Sequence, residues 1–199
     1  KAPSWMQGEA KQTPSTGNFV VRNEFDAPTL GNDWLRVRVP KQDWADLRQR
    51  SGWLALHPQP EDLDTLRNPA FLGRRQQHLR FEASTDMTRP AAGVAAGLAA
   101  FQNETHWYFL GVRSIGADRV AVFLEARDGS GDARTLATRE AMASGSLRLK
   151  IAGDEGRYAF AFDSGDGGGW QTVADDVDGT VLSTDRAGGF VGALLGPFA

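Results

Sequence analysis

Two arginines, two amides and an imidazole stand in one run, Arg74-Arg75-Gln76-Gln77-His78, just after Phe71, Leu72 and Gly73. Planar donors and amides in a row suit hydroxyl-rich ligands such as sugars, which ask for bidentate partners, with a nearby aromatic to stack on the ring. If the run is a strand, Arg74, Gln76 and His78 share one face while Arg75 and Gln77 share the other. The competing reading is a polar network that ties sheets together or faces a neighbouring domain, since buried polar groups usually exist to satisfy each other. The residues alone weigh the two equally.

Other chemistries find less support. Paired carboxylates suffice for glycoside hydrolysis, and Glu24, Asp26, Glu82, Glu104 and Glu125 are available. Glu24 and Asp26 bracket Phe25 on an expected strand and would share a face, but solvated acids and turn chemistry are the commoner use of such residues. The three histidines, His57, His78 and His106, lack metalloprotease spacing. A Gly-x-Ser-x-Gly elbow is missing too, so acyl transfer is set aside. Asp175, Asp176, Asp178, Gly179 and Asp185 imitate a calcium loop, yet Ala174 takes the first ligand position, and an acidic turn is the better reading. No metal, cofactor or catalytic residue is assigned.

The chain that must position these residues has 199 residues, 41% of them hydrophobic, a net charge of -3 and no cysteine. Disulfide scaffolds, thiol nucleophiles and zinc ribbons are excluded, and dispersed basic residues give no reason to expect nucleic acid or a membrane surface as partner. No apolar run approaches a bilayer span, so the segment reads as soluble, with the compartment left between bacterial cytoplasm and periplasm and a homo-oligomer left open. Residues 1–18 read as a linker or N-terminal arm. From Phe19 onward short β runs follow one another: 19–21, 34–39, 53–56, 107–113, 119–124, 147–151 and 158–162, separated by turn signals. Residues 152–156 join the last pair as a hairpin, and the glycines of 165–169 mark the next turn. Residues 43–50 and 139–142 are expected to form a turn or two of helix. The sum is an all-β, two-sheet sandwich of about a dozen strands over residues 19–199.

Taken in order, Asn23 to Leu30 with Trp34, Gly52-Trp53-Leu54-Ala55-Leu56, Asn68 to His78, Ala96-Gly97-Leu98 with Phe101-Gln102-Asn103-Glu104, Ser164-x-Asp166-Gly167 with Trp170, and Leu182-Ser183 with Gly188-Gly189-Phe190-Val191-Gly192-Ala193 form a pattern. It resembles the C-terminal concanavalin-like domain of family 43 glycoside hydrolases, chiefly β-xylosidases, some also with α-arabinofuranosidase activity. The resemblance runs from about Asn23 to the end of the chain. It implies a concanavalin A-like (jelly-roll) β-sandwich that is not catalytic by itself and packs on a separate five-bladed propeller carrying the catalytic acids. In the family, a loop of this domain places an aromatic at the wall of the propeller's pocket, and the matching residue is Phe190. Read from its neighbours alone, Phe190 is equally a loop aromatic free to approach a ligand or a buried strand-start side chain.

The substrate-binding candidates are therefore Phe190, Arg74, Gln76 and His78, with a xylo-oligosaccharide as ligand and the propeller as partner. Two alternatives stand beside this reading: an independent xylan-binding module, and a lectin-like glycosidase using Glu24 or Glu82. The family pattern continues past Gly196 into a further aromatic strand, whereas this chain stops at Ala199. An open sheet edge is expected there unless the arm or a partner covers it.

Overall fold

Leu147, Leu149 and Ile151 alternate with Arg148 and Lys150, and Tyr158, Phe160 and Phe162 alternate with alanines. Period-2 patterns of this kind give each strand one apolar face, which must be buried against a second layer. The computed structural model describes residues 20–143 and 145–199; the linker or arm expected over 1–18 lies outside them. Thirteen strands form among the described residues. The first five are β1 (Leu35–Arg36), β2 (Ala45–Asp46), β3 (Ala55–Leu56), β4 (Leu72–Arg75) and β5 (Phe81–Thr88). They are followed by β6 (Ala95–Asn103), β7 (His106–Ser114), β8 (Arg119–Asp128) and β9 (Arg134–Met142). The last four are β10 (Ser146–Asp154), β11 (Arg157–Asp163), β12 (Gln171–Asp178) and β13 (Leu194–Phe198).

Seven strands make one antiparallel sheet in the order β1-β4-β13-β6-β7-β8-β9, four make the other as β12-β11-β10-β5, and β2 pairs with β3. The main core lies between the two larger sheets. Leu98, Tyr108, Leu110, Val112, Val122 and Leu124 from one side meet Leu149, Ile151, Phe160, Phe162 and Val173 from the other. Each buried side chain of this size stabilises by about 1.5–3 kcal/mol, so the sandwich interface dominates stability.

The strands β6, β7 and β8 are buried in nearly every residue, without alternation. Their second face is covered as well: Ala99, Phe101, Trp107, Phe109, Phe123 and Phe198 pack with Leu63 of the preceding segment. A third cluster, Trp44, Ala45, Ala70 and Leu72, sits under β2 and β3. Coverage of both faces explains why these strands read as continuous apolar runs.

Several expectations need correction. Of the run 19–21, Phe19 lies outside the described residues and Val20 and Val21 form no strand, and the run 34–39 yields only β1. There Arg38 turns to φ 69°, and the carbonyls of Val37 and Arg38 accept from Asn68 Nδ2 at 2.5 and 3.2 Å instead of extending a ladder. The run 53–56 likewise keeps only β3. Residues 43–50 are not helical, because Trp44 and Ala45 are drawn into the third cluster and Ala45 pairs with Leu56. Residues 139–142 belong to β9, a largely exposed edge strand whose charges discourage further pairing. The helical pieces fall elsewhere, as a 3-10 turn at Gly179–Leu182 and α1 at Thr184–Ala187. Gly196 lies in β13, hydrogen bonded between β4 and β6 rather than at an edge. The hairpin at 152–156 forms as read, tightened so that Asp154 faces Arg157 across the turn. The glycines of 165–169 connect the antiparallel β11 and β12.

Candidate functional site

Phe190 is fully exposed, and Val191 beside it is half exposed. The loop that carries them starts from firm ground. Val181 and Leu182 of the 3-10 turn are buried in the main core, α1 follows, and Ala193 returns to the core ahead of β13. Between these anchors Gly188, Gly189 and Gly192 sit at φ 73°, 75° and 66°, a left-handed backbone that L side chains rarely adopt. A Cβ at Gly188 or Gly192 would meet open space, so what these positions require is the dihedral, not the room.

Four hydrogen bonds hold the loop's carbonyls. Asn103 Nδ2 donates to Ala187 O at 2.9 Å and Gln102 Nε2 to Gly188 O at 3.3 Å, both from the end of β6. From the end of β4, the Arg75 guanidinium donates to Val191 O, and the Gln76 backbone N–H donates to Ala193 O at 2.9 Å. The backbone is fixed while the aromatic ring projects freely, so a rigid apolar probe is offered to whatever lies beyond the sandwich.

The polar run behaves differently. Arg74 pairs with Asp33 at 2.5 Å, and its guanidinium lies 5.5 Å from the Trp34 ring centroid. The Gln76 amide donates to His78 O at 3.0 Å and accepts from the Tyr158 hydroxyl on the opposite sheet. Burial pushes the Tyr158 hydroxyl up to about 12, so it stays protonated and donates. His78 is half-buried just beyond β4. Arg74 and Gln76 thus spend their polar groups within the domain, and Arg75 and Gln76 together anchor the Phe190 loop. Sequence reading noted Arg75 without assigning it this role. Only the fold reveals it, because the two residues joined are 116 positions apart.

The remaining candidates are dispersed. Glu24 pairs with Arg22 on an irregular segment where Phe25 takes φ 51°, so the shared strand face expected for Glu24 and Asp26 is not formed. Glu82 pairs with Lys150 at 3.3 Å, Glu104 with Arg38, and Glu125 with Arg113 at 3.7 Å. In the acidic turn, Asp176 pairs with Arg157 at 2.5 Å, while Asp178 caps the 3-10 turn at Thr180 N (3.0 Å) and meets Arg186 at 3.4 Å. Two of the four acids in that spacing are thus engaged by cations or a cap, and Asp175 Oδ1 accepts from the Asp176 backbone N–H at 2.8 Å. His106 opens β7, with Nδ1 2.9 Å from Thr105 Oγ1 and 3.2 Å from Asn103 Oδ1. Among the described residues, no helix is long and apolar enough to cross a membrane.

The family model described as the beta xylosidase C-terminal concanavalin A-like domain matches residues 22–199. The chain is 28% identical over 182 residues to a non-reducing end alpha-L-arabinofuranosidase, BoGH43B, of Bacteroides ovatus, covering 90% of this chain and 33% of that protein. It is 28% identical over 191 residues to a putative beta-xylosidase of Escherichia coli K12, covering 90% and 34%. The chain spans about a third of the length of these curated relatives. Among solved structures, a GH43_12 protein from a capybara gut metagenome superimposes with a TM-score of 0.80 at 25% identity, over 92% of this chain and 35% of that one. A xylan beta-1,4-xylosidase from Bacillus halodurans shares the fold with a TM-score of 0.81 at 24% identity, over 96% and 37%.

Proposed function

Because the chain belongs to the family of beta xylosidase C-terminal concanavalin A-like domains, we propose that it is the non-catalytic accessory domain of a xylan-degrading glycoside hydrolase. In this reading it packs on a five-bladed propeller in the same enzyme and lends Phe190 to the wall of the propeller's pocket. The observation that carries it is the contrast within one loop: a backbone held by four hydrogen bonds and a phenyl ring in full exposure. A large apolar side chain in water gains about 1.5–3 kcal/mol on burial, and a pre-fixed loop loses little entropy on docking.

Apolar surface flanks the same end of the sandwich. Val39 and Leu66 are 86% and 78% exposed. Arg38, next to Val39, donates to Arg67 O at 3.0 Å and pairs with Glu104 in the β6–β7 turn, beside the Asn103 that holds the loop. Arg74, Gln76 and His78 enter this reading as the support of the docking edge, and a xylo-oligosaccharide would meet Phe190 first. The 199-residue chain alone is expected to leave nitrophenyl xyloside and nitrophenyl arabinofuranoside intact, and the same chain joined to its propeller to hydrolyse one of them. Turnover by the isolated chain that disappears on neutralising Glu24 or Glu82 would support the lectin-like glycosidase instead.

A further inference from the structure

The second face of the large sheet carries a cleft of about 510 Å³, within the size range of small-ligand sites. Its floor is β7 and β8, where Trp107, Phe109 and Arg113 share a face with Phe123 and Glu125. The segment bearing Asp62 forms one wall. None of the loop residues 188–192 lines it. From Trp107 to Arg113 the strand runs about 20 Å, long enough for several sugar rings in a row.

The polar groups of this cleft are unusual. Trp107 is 4% exposed, yet its indole Nε1 finds no acceptor among the described residues. A buried donor left in this state costs about 1–3 kcal/mol and is relieved by an acceptor brought from outside. Arg113 pairs with Glu125 at 3.7 Å and lies 4.2 Å from the Phe123 ring centroid, so both charges are already balanced. Asp62 is held above the usual carboxylate range, first by burial and then by Asp64. These acids oppose an anion and Arg113 opposes a cation, whereas a neutral polyhydroxylated ring can accept from Trp107 and Arg113 and donate to Glu125 and Asp62. Phe109 and Phe123 are themselves buried and form the apolar floor beneath these polar groups.

We propose that this cleft binds a short neutral oligosaccharide, with the Trp107 indole N–H and the Arg113–Glu125 pair as its polar contacts. The choice of pentose oligomers as the ligand rests on the accessory-domain reading above; the cleft and its neutral character do not. The site would hold a stretch of polysaccharide against the domain.

Xylotetraose and α-1,5-linked arabinotetraose are titrated separately into the 199-residue chain and followed by calorimetry and by the indole N–H resonances. One of them is expected to bind in the range of about 0.1–1 mM. Trp107→Phe, which keeps a ring but removes the donor, and Glu125→Gln are each expected to weaken binding at least fivefold. Trp170→Phe, on the outer face of the small sheet, is expected to leave it unchanged. Should Trp107→Phe fail to fold, Glu125→Gln and the shift of an indole resonance in the unmodified chain decide the matter. Absence of heat and shifts with both sugars overturns the proposal, as does binding lost in Trp170→Phe and kept in Glu125→Gln. Either failure leaves the role of Phe190 standing, since that role is read from hydrolysis by the assembled enzyme.

Discussion

The Phe190 loop and the Arg74–His78 run meet at the strand ends of one sheet and divide their work in opposite ways. The run holds the residue types that chemistry favours, and at Arg74 and Gln76 those groups are spent on Asp33, Trp34, Tyr158 and the His78 carbonyl. The loop holds glycines and a phenylalanine, spends its carbonyls on anchors and leaves its one large side chain in water. The side chain proposed to act is thus marked here by what it fails to touch, and the polar cluster by what it holds in place.

Mutations can break this comparison. The largest expected effect is Gln76→Ala, which strands the buried Tyr158 hydroxyl: a loss of about 2 kcal/mol, seen as a fall in Tm of about 4–8 °C. A neutral result would mean that Gln76 is available to a ligand after all. Gly189→Ala places a Cβ on a left-handed residue, with an expected cost of about 1–2 kcal/mol by denaturant titration. Arg74→Ala removes a partly exposed ion pair and its stacking on Trp34, for less than about 1 kcal/mol.

A pH effect sharpens the picture at the loop's anchor. His106 is held below its ordinary value of 6.5 by burial first and Arg186 next, with Asp128 opposing and Arg127 assisting. The unfolded chain therefore binds this proton more readily than the folded one. Stability from this group is complete above pH 6.5 and declines as pH falls through and below that value. His106→Asn is expected to flatten the Tm profile below about pH 6.5 without changing the plateau above it. Smallest of all, Phe190→Ala should leave the Tm of the chain within about ±0.5 kcal/mol equivalent, since the ring is fully exposed.

Much of the sandwich was legible in the sequence because its strands obey period 2 or read as continuous apolar runs, and the 152–156 hairpin because its turn is local. The N-terminal third was not. Its residues 34–39 alternate like a strand, but Asn68, roughly thirty positions away, captures the carbonyls that a ladder would need. The 43–50 helix failed for the same kind of reason, with Trp44 donating to Asn68 Oδ1 at 2.7 Å within the third cluster. At the site, motif resemblance singled out Phe190, but its exposure depends on anchors from β4 and β6, which only the strand order brings together. Trp107 stood out only as the start of the β run 107–113, because nothing in the sequence distinguishes an indole with an acceptor from one without.

The central claim is that Phe190 acts beyond its own domain. Phe190→Ala in the enzyme carrying both sandwich and propeller, assayed on xylobiose and on an aryl arabinofuranoside, tests it most directly. The account predicts a fall in kcat/KM of about tenfold or more, about 1.4 kcal/mol of transition-state stabilisation, with the melting profile of the sandwich unchanged. Unaltered kcat/KM on both substrates would contradict it.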